Sequence, residues 1–501
     1  MNKLYIQIVL ALTVLFSSCN LDENPRGIYH DDNFYKSVSD AEAAIYYAYN
    51  TFNFIEYHRG IFSIGELPAD LVDLKNDESV DWHNLNNWNT ESHGINLDLE
   101  NFYKYCYIGI NRANAIISKV PNSDFSDEYK EAFIAEAKVI RAWSYFSLVR
   151  VFGLTPLSKS IVESIDQAIL PMPEDFDELY DFIIEDLTAA TEVLKENKIE
   201  GRFDLVGTQA ILAKVYITIA SGKANNAAGY RTMAKDANDM YAQAATWAGK
   251  VMSSGAYGFE EDLGTIYDVN KKNGQEHIWL LSMDKSGVDE GEYSKIPMLF
   301  LPNGAGSAYH LKVPNSEEFI KTANGFGSFE IEESFYNSFE EGDLRKSFIQ
   351  GDIYDENGVI TGSVTPESDT ITTILSRFSV KYVDHTSDNQ KTSVTPFMIR
   401  FTDIALVYAE AVGPGEGLSW LNRVRGRAGL NPLSGMSLEQ FRQAVIEERK
   451  YEFAFEAQRL YDLRRTASVT ANVPNATLSE DDAAFFEIPQ KEKDLNPNIP
   501  N

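Results

Sequence analysis

The stretch SDEYKEAFIAEAKVIRAWSYFSLVRVFG, Ser126 to Gly153, constrains the fold more than any other part of the chain. Acidic residues crowd its first turn and a glycine closes it, which suits the two ends of a helix. Phe133, Ala137, Ile140, Ser144 and Leu148 recur along one face, and Trp143 and Phe146 widen that face. So broad a stripe needs neighbours on several sides, so this helix belongs inside a scaffold of helices.

Comparable signals run from Ser39 to Gly255. SDAEAAIYYAYN opens with Ser39 and Glu42 at the spacing of a capping box. YKYCYIGINRANAIISKVP sets Tyr107, Ile110, Ala113 and Ile117 at helical spacing, and Pro121 ends it. PEDFDELYDFIIEDLTAATEVLKEN places Pro173 in a first turn, where its missing N–H costs nothing. GTQAILAKVYITIAS and DANDMYAQAATWAGKVMSSG read as an antiparallel pair whose alanines permit close approach. FTDIALVYAEAV and SLEQFRQAVIEERKYEFAFEAQRLYDLRR add two late helices. The alternation of small and aromatic residues echoes tetratricopeptide helix pairs, without a strict repeat.

Two segments lose this periodicity, Tyr57 to Ile95 and Tyr257 to Pro396. In the second, EHIWLLSM and SRFSVKYVD read as short strands, and GDIYDENGVITG as a hairpin turning at Asn357-Gly358. The chain is therefore expected to be mostly α, with loop-rich segments on a rigid frame, where binding function concentrates.

The 75 acidic residues outnumber the 44 basic ones, a net charge of −31 that repels phosphate backbones and so excludes nucleic acid as a partner. No H-x-x-x-H pair or cysteine cluster supports a metal site. DENG fails as a calcium loop because Ile353 stands where the first carboxylate belongs. GAGSAY lacks the first glycine of a nucleophile elbow, and GFGSFE the third glycine of a dinucleotide loop. No cofactor and no catalytic residue is expected; with so many carboxylates, neighbouring acids in sequence are no sign of a glycosidase.

At the N-terminus, Lys3 precedes an apolar run from Leu4 to Phe16 that is shorter than the ~20 residues of a membrane-spanning helix. It reads as a signal peptide over residues 1–18. LFSSC looks like a bacterial lipobox, which makes Cys19 the lipid-bearing first residue of the mature chain. The anchor then lies in the lipid, because the acidic surface is repelled by anionic headgroups.

Several stretches together resemble the SusD/RagB family of Bacteroidetes nutrient-uptake lipoproteins. They are NRANAII, EAKVIRAWSYFSLVRVFGLTPL, GRFDLVGTQAILAKVYIT, IRFTDIALVYAEA, LNRVRGRAGL, EERKYEFAFEAQRLYDLRR and the closing IPQKEKDLNPNI. They follow one another from Cys19 to the C-terminus, and Asp22 and Glu23 resemble an acidic surface-export tag. The resemblance implies one SusD-like domain over residues 19–501. Its superhelical scaffold of tetratricopeptide-like helix pairs falls mainly in 39–56, 96–256 and 397–466, and its loop-rich ligand face in 57–95 and 257–396. It also implies a lipid-anchored, surface-exposed outer-membrane protein, without catalysis, that binds oligosaccharide over a SusC-like TonB-dependent transporter. Relatives that serve peptide uptake leave a peptide-binding lid as the alternative.

The quoted blocks are mainly scaffold. Arg141, Trp143, Arg150, Arg459 and Arg464 are expected to be structural, the arginines pairing with carboxylates such as Glu136 or Glu448 or with carbonyls between scaffold helices, and Trp247, Trp279 and Trp420 to be core. Trp82 and Trp88 differ, because they alternate with Asn84, Asn86, Asn87 and Asn89 in a polar stretch without periodicity. Flat rings suit the C–H face of a sugar and amides suit its hydroxyls, so Trp82, Trp88, Asn86 and Asn89 are ligand-binding candidates. Tyr293, Phe300, Asn303, Tyr309 and Phe326 form a second group, in the stretch where family members contribute aromatic contacts. Packing of the long loops is the competing role for both groups.

Overall fold

The structure, a computed structural model, describes residues 34–304, 306–366, 371 and 373–500. The signal peptide and Cys19 lie outside these residues. Twelve helices of seven or more residues make up the frame among them. They are α1 Val38–Asn53, α2 Ile55–Glu66, α3 Val80–Asn86, α4 Leu97–Lys119, α5 Asp127–Phe152 and α6 Phe176–Thr191. After them come α7 Leu205–Ala224, α8 Ala237–Ser253, α9 Phe401–Val412, α10 Pro414–Arg427, α11 Leu438–Glu452 and α12 Arg459–Arg465.

The helix that anchored the sequence reading is α5. Phe133, Ala137, Ile140, Trp143, Ser144, Phe146 and Leu148 are all buried, and Gly153 closes the helix at φ +73°, a conformation that glycine adopts without strain. Each helix from α4 to α8 packs on the next, then α8 on α9 and α9 on α10, so the frame grows by stacking successive helices. α7 is long and apolar enough to cross a membrane, yet α6, α8 and α9 cover it.

Helix ends depart from expectation in four places. The first capping box is Ser37 with Asp40, two residues before the expected pair. Asp175 caps α6, which leaves Pro173 outside the helix. The segment from Tyr57 to Ile95 is far from loop-rich, since α2 runs to Glu66 and α3 follows. The last long helical stretch is broken between α11 and α12. Phe455 and Ala457 take φ of +67° and +56° there; buried residues pack the break.

Most arginines of the family blocks are interior, Arg423 being an exposed exception. Arg400 meets Glu276, Glu452 and Glu456 at 2.8–2.9 Å, Arg449 bridges Asp403 and Asp462, and Arg465 bridges Glu410 and Asp462. Arg141 takes Asp186 rather than Glu136, which holds Arg202, while Glu448 holds Arg345 and Arg425. Opposite charges this deep are tolerated because each has a hydrogen-bonded partner. They join α9, α11 and α12.

Short strands fill the long insertion. β2 (His277–Leu280) pairs antiparallel with β11 (Phe397–Arg400) beneath the frame and buries Trp279. Five further strands form one sheet in the order β4-β3-β7-β8-β9: β3 is Tyr309–Lys312, β4 Phe319–Thr322, β7 Asp352–Tyr354, β8 Ile360–Ser363 and β9 Thr373–Ile374. The expected hairpin joins β7 to β8. Gly358 takes φ +77° in its turn, while Asp355 Oδ1 accepts the N–H groups of Asn357 and Val359 at 2.8 and 2.9 Å.

Candidate functional site

The sheet's two faces differ because side chains alternate along a strand. On β3, Tyr309 and Leu311 are buried, while His310 and Lys312 face outward. Register then places Lys321 and Tyr354 beside His310, and Phe319 beside Lys312. Phe319 is 44% exposed, and its ring meets that of Tyr354 at 4.8 Å, edge to face, over the outward side of the sheet. Burial and the neighbouring Asp352 hold the Tyr354 phenol above its usual range, so it stays a neutral donor.

Two cavities open on the insertion that carries this ring pair. One, about 520 Å³, lies by the β3–β4 turn and is walled by Lys312, Tyr354, Gln350, Tyr336, Lys346 and Arg377. The other, about 890 Å³, lies at the base of the hairpin between Lys321–Asn324 and the loop His385–Lys391, with Lys295 on a third side. Amides set its edge. Asn324 Oδ1 accepts the N–H of Gly304 at 2.7 Å and its amide donates to Asn303 Oδ1 at 3.3 Å, which fixes the loop that closes the hairpin. Neutral rings flanked by amides, hydroxyls and ammonium groups can cover the C–H face of a sugar while bonding to its rim.

A larger groove, about 1330 Å³, runs between α1, α4 and residues 156–170. Its walls combine aliphatic and aromatic surface, including Ile108, Ile161 and Tyr107, with polar side chains such as Lys104, Asn111, Arg112 and Asn496.

Most of the candidates from sequence lie elsewhere. Trp82 is buried edge-on against Phe329, and its indole N–H donates to Asp98. Trp88 is stacked on Phe486 and donates to the Pro68 carbonyl at 3.1 Å. Neither presents a ring face to solvent, so the platform expected of them is corrected to a staple that holds α3 to the frame. Ser79 caps α3 and Trp82 supplies its buried side, so this polar stretch is helical after all. Asn86 is buried and donates to Asp73 Oδ1, whereas Asn89 is exposed with its amide on Asn84. Phe300 lies in the core among Phe62, Phe329, Tyr382 and Phe455, and Tyr309 is buried with its hydroxyl on the Pro302 carbonyl. Both are packing residues: Tyr309 occupies the inward parity of its strand, and Phe300 ends a short helix, Ile296–Phe300, that is buried on every side.

Tyr293 remains half-buried near the second cavity, 4.6 Å from the Lys391 ammonium. The stretch around it does supply cavity wall, through Lys295, Lys321, Thr322 and Asn324. Phe319 and Tyr354 were missed. The signal for them was alternation, since a ring at the outward parity of a hairpin strand cannot reach the core.

Comparison with known proteins accounts for the arrangement. The SusD family profile matches residues 275–498, and a profile described as starch-binding associating with outer membrane matches residues 62–217. A SusD-like protein of Bacteroides ovatus is 26% identical over 92% of this chain and 82% of its own length. One of Formosa agariphila is 26% identical over 93% and 91%. A SusD superfamily structure from Parabacteroides distasonis superposes with a TM-score of 0.74 at 21% identity, covering 92% of this chain and 98% of that one. Surface glycan-binding protein A of Bacteroides thetaiotaomicron, solved with laminarihexaose, gives 0.71 at 19% identity over 91% and 97%. Along more than nine-tenths of its length the chain is similar to SusD-like proteins, and it shares the fold of SusD superfamily structures.

Proposed function

We propose that this chain is a surface glycan-binding lipoprotein that captures oligosaccharide and hands it to a SusC-like TonB-dependent transporter, breaking no bond itself. The exposed Phe319 ring against Tyr354, which itself lines one of two polar cavities on the insertion, carries the reading. It offers stacking surface and hydroxyl partners on the insertion, away from the paired charges of the frame. Relatives named as laminarin-binding and glycan-binding support the same ligand class. The LFSSC sequence supports attachment through lipid on Cys19, and the family supports a place on the outer membrane facing outward.

Calorimetry on the full-length chain with plant, host and microbial oligosaccharides tests the capture step; one glycan class is expected to bind. Mild detergent extraction tests the partner, with a large β-barrel expected to copurify. A peptide-binding lid is the second reading, favoured by β4, which lies at the edge of its sheet with one side open to strand addition. Binding of extended peptides and of no glycan would establish it instead.

A further inference from the structure

The two cavities reverse the charge balance of the chain that builds them. The sequence holds 75 carboxylates against 44 cations, but among the described residues six lysines and arginines line the cavities against three carboxylates. Half of those cations are already matched. Lys312 meets Glu317 at 2.8 Å, Arg377 meets Glu333 at 2.8 Å and Lys295 meets Glu290 at 2.9 Å.

Lys321, Lys346 and Lys391 have no carboxylate at ion-pair distance among the described residues. Lys321 is exposed on the edge strand. The Lys346 ammonium lies 4.2 Å from the centre of the Tyr336 ring. The Lys391 ammonium donates to the Gly287 carbonyl at 2.9 Å and lies 4.6 Å from the Tyr293 ring. Ring faces and a carbonyl hold these groups in place without cancelling their charge. Of the carboxylates in the cavity walls, Glu317 is paired with Lys312, while Asp352 and Asp388 accept neutral hydrogen bonds from the Ser363 hydroxyl and the Asn389 amide and keep their charge, so the lysines without a carboxylate outnumber the carboxylates without a cation by one.

An uncharged sugar has little use for three ammonium groups without a carboxylate partner in the walls of these two cavities. A carboxylate or sulfate gains from each a charge-assisted hydrogen bond, roughly twice as strong as a neutral one. The long-range field of the protein opposes a polyanion, but at physiological salt it is screened beyond about 8 Å, which leaves local contacts to decide.

We propose that the glycan taken by this face is anionic, its uronate carboxylates or sulfate esters meeting Lys321, Lys346 and Lys391 while Phe319 and Tyr354 carry the sugar faces. This rests on the glycan reading above. The test is calorimetry at 150 mM salt, about the physiological level. The full-length chain is titrated with oligogalacturonates and chondroitin sulfate oligosaccharides, each beside its carboxyl-reduced or desulfated counterpart. At least one charged oligosaccharide is expected to bind about tenfold or more tightly than its neutral counterpart, and the counterpart that loses affinity tells uronate from sulfate. The triple variant K321Q/K346Q/K391Q is expected to erase the preference while keeping the wild-type melting temperature. Equal affinity for charged and neutral forms, a preference that survives in the triple variant, or no anionic ligand in the panel would overturn the charge assignment. Binding of neutral glycans alone leaves glycan capture standing, whereas binding only of acidic peptides overturns both readings.

Discussion

Arg459 holds Asp70 through two parallel hydrogen bonds, Nε to Oδ1 at 2.7 Å and Nη2 to Oδ2 at 2.8 Å. The two side chains are 3% and 10% exposed, and they tie α12 to the turn after α2 across almost the whole sequence. Removing the guanidinium leaves a carboxylate with little water and no counter-charge. Arg459→Ala is expected to lower stability by about 3 kcal/mol or more, and Arg459→Lys by less, since it keeps the charge and loses the fork. Urea unfolding checks both, and a midpoint unchanged in Arg459→Ala would contradict the assignment.

This pair also marks what the sequence can disclose. The repeated arginines and acids of LNRVRGR, EERKYEF and RLYDLRR signal interior pairing, because so many cations cannot all face a ligand. Which acid meets which arginine depends on packing between distant helices, so Arg141 found Asp186 and not Glu136. Frame helices were legible because burial imposes a 3.6-residue rhythm on them. The ligand face has no such rhythm. Tryptophans among asparagines resemble a platform on paper, yet Trp82 lies on the buried side of a short helix. Phe319 looked ordinary until strand register turned it outward.

Glu66 gives a dependence on pH. It is fully buried, Oε1 accepts the Ala457 N–H, and burial pushes its carboxyl up to about 8. In the unfolded chain the same group titrates near 4.3, so between the two values the folded state holds a proton that the unfolded state has released. Its contribution to stability is therefore present below about 4.3 and is lost as pH rises toward 8, on the order of 5 kcal/mol over the window. Glu66→Gln keeps an acceptor for Ala457 and cannot ionise. Thermal melts are expected to show the variant gaining on the wild type at pH 8 and not at pH 5.

Trp82 and Trp88 separate packing from recognition. Each fills core space and has a bonded indole N–H, so replacement by alanine is expected to cost about 3–5 kcal/mol. Glycan affinity, measured at a temperature where the variants remain folded, is expected to stay within twofold of wild type. A tenfold loss of affinity in a stable variant would restore these rings to the site.

The anchor is tested without any ligand. Cys19→Ala is expected to leave the leader without its lipid attachment point, so labelled palmitate no longer enters the protein and the chain leaves the membrane fraction. Retention of the variant in membranes, released only by detergent, would mean that something other than lipid on Cys19 holds it there.

Phe319 and Tyr354 bear the main weight of the functional reading. An exposed ring on an outward strand face contributes little to the core, so Phe319→Ala is expected to change stability by less than about 0.5 kcal/mol. Losing one stacking surface is expected to cost about 1 kcal/mol of binding, roughly fivefold in affinity. The two rings touch at 4.8 Å and act as one surface, so the double variant Phe319→Ala/Tyr354→Ala is expected to fall short of the product of the single effects. Calorimetry with the tightest glycan of the panel measures all three. If both single variants bind like the wild type, the platform lies elsewhere on the insertion, and the half-exposed Tyr293 beside Lys391 is the next ring to replace.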